Sequence, residues 1–349
     1  MSTTTDRNRQ TQESLRLLVF CTVETGLDAV DMVLRSGAHV VALVGLAPSA
    51  KGRQDAAGWI DVAQYAQRVN VPFIAIGDYS LRSPEDWKQL DELTFDLIWV
   101  AGWQRLIPKG ILELSKLGGI GSHGSPWGIS GGRGRSPQNW ALMLGCHEFH
   151  LSLFRLTPEP DAGDIISQRI ITYNLWDSIQ TSYKKVCLAI AEMVGELVNN
   201  PGMLLASQAQ QSPVRYLPQR LPSDGVVDWF QPKIDIYNHC RALTHPYPGL
   251  RTGLGNQSFV IWDLIPFDDC DSRAPGFISR VFLDGSFLVS AGDGRLLVRD
   301  YEVLMGDDFV AEGVLLDSVP FRSTMSRIFA RHLTKHPEQQ LIDWEVFYR

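Results

Sequence analysis

The first 200 residues alternate between nearly continuous apolar runs and segments with helical apolar spacing, and this alternation constrains the fold most. Leu15–Val23 is apolar almost throughout, as a strand buried on both faces of a parallel sheet requires. Leu27–Arg35 follows, with Leu27, Val30, Val33 and Leu34 at helical spacing, and Gly37 ends it. His39–Leu46 is a second buried run. Ile60–Val69 reads as a second helix closed by Asn70 and Pro72, and Pro72–Ile76 as a short strand. Phe95–Ala101 and Gly118–Ser122 supply the fourth and fifth strands. This β-α-β-α-β order predicts a doubly wound, Rossmann-like α/β domain. Asn139–Leu144 reads as helix, and Glu148–Leu156 and Ile165–Tyr173 as partner strands. Ser178–Val198 is a long helix with Ile179, Tyr183, Val186, Ile190, Val194 and Leu197 on one face.

The character changes after Asn200. Gln208–Ser223 is rich in Gln, Pro and Ser and reads as a linker. Ile234–Leu243 is helical. Gln257–Ile265, Gly276–Phe282, Phe287–Ala291 and Arg295–Tyr301 are short strand-like segments, the pattern of a small β-barrel or sandwich. Thr324–Leu333 reads as a last helix. The expected organisation is a disordered polar arm (1–14), a catalytic α/β domain (15–202), a linker (203–222), a smaller β domain (223–305) and a C-terminal extension (306–349).

Charge narrows the partners. The 349 residues carry 32 Lys+Arg against 39 Asp+Glu, a balance of −7, and broad nucleic-acid or anionic-lipid binding needs a basic surface. No apolar run reaches the roughly 18 residues of a membrane span. The polar start has no cleavage pattern of a signal peptide. Five cysteines (Cys21, Cys146, Cys187, Cys240 and Cys270) are scattered without a CxxC pair, as expected of reduced thiols in the cytoplasm.

The chemistry concentrates in Gly118–Asp164. Gly121-Ser122-His123-Gly124-Ser125 ends a predicted strand. The basic loop Gly131-Gly132-Arg133-Gly134-Arg135-Ser136-Pro137 follows, and then Pro160-Asp161-Ala162-Gly163-Asp164. Open α/β sheets bind ligands at the carboxyl ends of their strands. A His between glycines there can act as general acid or donate to an oxyanion. A carboxylate carried by the following strand pair would orient the ring. The bland alternative is a structural histidine.

These residues resemble the 10-formyltetrahydrofolate-dependent formyltransferase family. Its signature is an Asn-x-His-x-Ser strand end, an Arg-Gly loop and a later Asp-x-Gly. The resemblance assigns His123 and Asp161 as catalytic. Ala101-Gly102-Trp103-Gln104-Arg105-Leu106-Ile107-Pro108 resembles the family's pterin-binding loop. The resemblance therefore puts Gly102, Trp103, Arg105, Leu106, Ile107, Ala162 and Gly163 at the folate. It puts Ser125, Arg133, Arg135 and Asn139 at the acceptor. Core packing competes as the role of Trp103 and Leu106, and a solvated loop charge as that of Arg133 and Arg135. Asp224-Gly225-Val226-Val227-Asp228-Trp229, Arg241-Ala242, Tyr247-Pro248-Gly249, Pro275-Gly276 and Gly292-Asp293-Gly294 resemble the family's OB-like C-terminal domain.

Two features depart from the family pattern. Gly121 stands where the family has its catalytic Asn, with Ser122, Ser125 and Asn139 as candidates to supply the missing amide's function. The loop from Ser125 to Arg133 is longer, and Pro126-Trp127-Gly128 replaces the common Leu-Leu-Pro.

The resemblance implies formyl transfer from 10-formyltetrahydrofolate, as co-substrate, to an amine, with no metal. Residues 203–349 carry 14 Lys+Arg against 18 Asp+Glu. That acidity in the family's transfer-RNA-binding half favours a small amine acceptor, such as a nucleotide-linked amino sugar. Methionyl-tRNA formyltransferase is the alternative enzyme, and a non-catalytic folate- or nucleotide-binding homologue the alternative of another class. Nucleic acid is disfavoured as a partner, a membrane is excluded, and a second copy of the chain is allowed.

Lesser candidates carry less. His147 and His150 would point to opposite faces of a strand, which argues against a metal. Gly52 and Gly58 lack a following Gly-Lys-Ser/Thr, and Gly26 lacks a GxGxxG. Asp268-Asp269-Cys270-Asp271 reads as a solvated acidic turn rather than a calcium loop.

Overall fold

The computed structural model describes residues 14–211, 213–268, 273–305 and 310–347. The expected disordered arm (but for Ser14) and most of the acidic turn at Asp268–Asp271 lie outside the described residues.

The first strands and helices alternate as their sequence pattern predicts: β1 (Arg16–Phe20), α1 (Glu24–Arg35), β2 (His39–Lys51), α2 (Ala63–Arg68), β3 (Phe73–Asp78), α3 (Pro84–Asp91), β4 (Leu97–Val100), α4 (Lys109–Glu113) and β5 (Gly119–Ser125). Next come α5 (Gly128–Gly131), β6 (Arg133–Gly134), α6 (Pro137–Met143), β7 (Glu148–Arg155), β8 (Ile165–Thr172), α7 (Ile179–Asn199) and β9 (Tyr216–Leu217). Among the described residues one seven-stranded sheet has the order β3-β2-β1-β4-β5-β7-β8. β1 pairs in parallel with β2 and β4, β2 with β3, and β4 with β5. This is the doubly wound, Rossmann-like arrangement, and the reversal of strand order beside β1 is where such sheets open a crevice.

By compactness the described chain divides into two units. The first comprises 14–122, 153–168 and 187–209. Its core holds Leu18, Phe20, Ala42, Val44, Ile76, Phe95, Ile98 and Ile111. Leu17 to Phe20 are all fully buried, which explains why β1 reads as an unbroken apolar run rather than an alternating one. A Cβ at Gly26 would lie 1.9 Å from the Ala101 carbonyl oxygen, so only glycine lets α1 start this close to the end of β4.

The second unit comprises 123–152, 169–186 and 210–347. It contains α8 (Lys233–Leu243), β10 (Leu250–Leu254), β11 (Gln257–Phe267), β12 (Ile278–Val281), β13 (Phe287–Ala291), β14 (Gly294–Met305) and α9 (Phe321–Lys335). The five strands form an antiparallel sheet of order β10-β11-β14-β13-β12. Helix α8 buries Ile236, Cys240 and Leu243 in the core with Trp229, Phe259, Ile261, Val289 and Val298. That spacing is one apolar stripe, and each buried side chain of this size contributes about 1.5–3 kcal/mol.

Several boundaries move. β5 runs on to Ser125 and so carries His123 inside the strand. β2 extends to Lys51, and the last helix spans Phe321–Lys335 rather than Thr324–Leu333. The segment Gln208–Ser223, a linker by composition, contributes β9, which pairs in parallel with β6. Polar composition signals solvent, but a parallel bridge uses only main-chain groups, so composition does not register it.

Candidate functional site

In the first unit, the segment after β4 carries the expected folate residues. Gly102 has φ +93°, and a Cβ there would lie 2.4 Å from the Val23 side chain. Its carbonyl accepts from Thr22 Oγ1 at 2.8 Å. Trp103 is buried, edge-on to Phe20 and Tyr79 at 5.5 and 5.0 Å, so its side chain is core. Ile107 is also buried, whereas Leu106 is 54% exposed. Arg105 pairs with Asp55 at 2.9 Å and lies over the Tyr79 ring. The Gln104 N–H donates to the Tyr79 hydroxyl at 3.1 Å. The N–H groups of Arg105, Leu106 and Ile107 have no hydrogen-bond acceptor among the described residues. Main-chain donors without acceptors beside an apolar side chain suit the polar edge and flat face of a heterocycle.

Asp161 sits between β7 and β8, half-buried, with φ +51°. Aspartate is among the few non-glycine residues that tolerate this conformation. A Cβ at Gly163 would lie 1.8 Å from the Arg155 carbonyl oxygen. Ala162 is half-buried between them. The Arg155 N–H donates to Asp164 O at 2.9 Å, closing the turn that presents Asp161.

The position of the family Asn is apolar here. A Cβ at Gly121 would meet Leu156 Cδ2 at 2.9 Å and Phe154 Cζ at 3.6 Å.

In the second unit, His123 Nε2 lies 2.9 Å from the Gly132 carbonyl oxygen. A carbonyl only accepts, so Nε2 carries the proton. A Cβ at Gly124 would lie 2.6 Å from the His150 carbonyl oxygen, so the strand beside His123 accepts only glycine. Ser125 is fully buried and donates to Gly128 O at 2.6 Å while accepting from Trp127 N–H at 3.0 Å. Asn139 is 1% exposed and donates to Ala242 O at 2.5 Å. Ser125 thus closes a contact within its own loop, and Asn139 ties α6 to α8 through its amide NH2 while its Oδ1 has no hydrogen-bond partner among the described residues. Arg133 is buried and donates to Gln210 Oε1 at 2.9 Å, whereas Arg135 is exposed. Of the two loop arginines, Arg135 is the one presented to solvent.

Sequence reasoning missed Gly132 as the partner of His123 and the 215–217 strand behind it. The signal was present only as the clustered glycines 131, 132 and 134. A Cβ at Gly132 would lie 2.4 Å from Ser125 Cβ, and one at Gly134 2.4 Å from Leu217 O.

These parts match known proteins in order along the chain. The formyl transferase family model matches residues 16–193, and that of the formyl transferase C-terminal domain matches residues 221–309. Among solved structures, HypX from Aquifex aeolicus in complex with tetrahydrofolic acid is 16% identical with a TM-score of 0.59. The match covers 95% of this chain and 49% of HypX, so the chain spans about half the length of that protein. Methionyl-tRNA formyltransferase from Clostridium thermocellum is 15% identical with a TM-score of 0.55, over 84% of this chain and 100% of the other. An N-formyltransferase from Helicobacter canadensis, in complex with folinic acid and dTDP-3-aminofucose, is 13% identical with a TM-score of 0.52, over 82% and 100%. At these identities the structural likeness is one of fold. With half of the chain under the first family model and the C-terminal domain following in sequence, the protein belongs to the formyl transferase family.

Proposed function

We propose that the chain transfers a formyl group from 10-formyltetrahydrofolate to the amine of a small acceptor, a nucleotide-linked amino sugar being the favoured class. The observation that carries this reading is His123 at the end of β5, held as the Nε2–H form by a carbonyl. The co-substrate supplies the activated formyl group. Attack by the amine puts negative charge on the formyl oxygen. His123 stabilises that charge as the imidazolium, its Nε2–H staying on the Gly132 carbonyl and its Nδ1–H donating to the oxygen, a role worth about 3 kcal/mol of barrier for one positioned donor. Asp161 takes part in moving the amine proton. The main-chain donors at Arg105–Ile107 hold the pterin edge, Leu106 covers its face, and Ala162 and Gly163 complete the folate site. Arg135 meets the acceptor's phosphate.

The acceptor class rests on charge. The 203–349 half carries four more acidic than basic residues, which opposes a large transfer-RNA interface. The fold is like that of both the sugar-nucleotide-bound Helicobacter canadensis protein and the methionyl-tRNA formyltransferase, so the choice of acceptor stands on the charge. No helix among the described residues is long and apolar enough to cross a membrane. Cys21, Cys146 and Cys240 are free thiols, in keeping with our assignment to the cytoplasm.

A second reading, folate binding without turnover, is favoured by the apolar surroundings of Gly121. Spectroscopic release of tetrahydrofolate against a panel of amines separates the two. We expect release with nucleotide amino sugars and none with aminoacylated transfer RNA. His123→Ala and Asp161→Asn should abolish release while leaving the thermal unfolding midpoint near that of wild type. Near-normal turnover in both variants sinks the catalytic assignment, and folate binding without release supports the second reading.

A further inference from the structure

The last stretch of the chain, 310–347, lies beyond both matched regions. Its contacts within the second unit converge on the loop that holds His123. Strand β9 and its neighbour Arg215 use alternate main-chain groups on opposite sides, as a central strand does. On one side Arg215 N–H donates to Ser130 O at 2.8 Å, and Arg133 N–H donates to Arg215 O at 2.9 Å. On the other side Tyr216 N–H donates to Gln340 O at 2.8 Å, and Ile342 N–H donates to Tyr216 O at 3.2 Å. The polypeptide at 340–342 thus adds a parallel bridge, Tyr216 to Leu341, on the side of β9 away from β6. Immediately before β6 stands Gly132, whose carbonyl accepts from His123.

Side chains hold the same segment at its other end. Arg331 of α9 donates to both Asp224 carboxylate oxygens at 2.6 and 3.1 Å and to Gln219 O at 3.0 Å. The Asp224 side chain is fully buried. Trp344 is buried edge-on to Phe321 and Phe329 at 6.1 and 6.3 Å. Phe329 in turn meets Trp140 of α6 edge-on at 6.2 Å, and Trp140 Nε1 donates to Pro218 O at 3.1 Å. The extension therefore grips 215–224 at both ends, while 215–217 grips the glycine loop. That loop has little rigidity of its own, since glycines 131, 132 and 134 carry no side chains to pack.

We propose that the C-terminal extension is a positioning brace for His123, acting through β9 and the Gly132 carbonyl, with the pairing at Ile342 as its decisive link. The proposal rests on the formyl-transfer reading for its kinetic consequence but not for its structural one. A small misplacement of a catalytic group lowers turnover without weakening binding of the co-substrate.

Ile342→Pro in the full chain removes the N–H that donates to Tyr216, and Ile342→Val keeps it. The proline variant is expected to lose turnover by about tenfold to a hundredfold with an unchanged KM for the folate, while the valine variant stays near wild type. In alkaline buffer the ring nitrogens of His123 should report the Nε2–H tautomer in wild type and a mixture in the proline variant by 15N chemical shift. Full turnover in the proline variant, or an unchanged tautomer, overturns the brace. Should the proline variant not fold, amide exchange in the wild-type chain decides. The N–H groups of Arg133, Tyr216 and Ile342 should open with one common free energy, and independent opening of Ile342 overturns the coupling. An inactive wild-type chain would overturn the formyl-transfer reading instead, and the tautomer and exchange measurements would still decide the brace.

Discussion

At the scale of single residues, Gly121 distinguishes this chain most sharply from its family pattern. The missing amide is not a gap waiting for a polar group, because Leu156 and Phe154 occupy the direction a side chain would take. Restoring the family residue by Gly121→Asn would push an amide among apolar groups without a partner. We expect it to destabilise the protein by about 1–3 kcal/mol and not to raise formyl transfer. A variant that is both stable and faster would show that the site retains room for the amide. His123 and Asp161 stand out in the sequence as candidates because glycines crowd around both. The bonds that Ser125 and Asn139 make to the scaffold were not legible, since a polar residue that closes a turn or joins two helices looks in sequence like one that faces a ligand.

At the scale of elements, the long helices and central strands were legible because their apolar spacing is set by burial on one or both faces. Helix α3 and strand β10 escaped notice because their patterns are short and largely polar. The pairing of β9 escaped for a different reason: two residues joined by main-chain bonds leave no periodicity to read. Helix α9 tests what the extension contributes to stability. Burial works against the charged form of Asp224, but bonds from Arg331 and the Leu221 N–H, with the nearby Arg327 charge, hold its carboxyl below the usual carboxylate range. Arg331→Met would leave that buried charge with the Leu221 N–H at 2.7 Å and the more distant Arg327 at 3.6 Å. We expect a loss of about 2–4 kcal/mol, read from denaturant unfolding, with part recovered in the double variant that adds Asp224→Asn. A loss no larger than that of an ordinary surface substitution would show that the pair carries little.

At the scale of the whole molecule, the buried ionisable groups set how stability follows pH. His239 is buried beside the Arg220 guanidinium, and burial first, then that charge, holds its pKa well below the ordinary value. The unfolded chain therefore takes up this proton first, so the contribution is present above about pH 6.5 and is lost as pH falls below it. Asp96 is held below the usual range chiefly by Arg16, with burial opposing and Lys116 adding. The contributions of Asp96 and Asp224 are present above about pH 4 and are lost below it. The urea midpoint should hold steady between about pH 7 and pH 8, decline below about pH 6.5 and decline further below about pH 4. His239→Gln should flatten the first decline and Asp96→Asn part of the second. An unchanged slope in both variants would mean that other groups govern acid unfolding.

The sequence alone determined the doubly wound order of the first 200 residues, the β-rich character of the second half and the family. Each of these rests on local apolar period or on short motifs with fixed spacing. Tertiary structure decided which loop arginine faces solvent, which polar residues serve the scaffold, what fills the space beside Gly121 and what holds His123. Those outcomes depend on main-chain bonds and side-chain contacts that only the fold makes, several of them between residues far apart in the chain. Chain separation erases their trace, because a backbone donor in one residue is chemically the same as in any other until the fold gives it a partner.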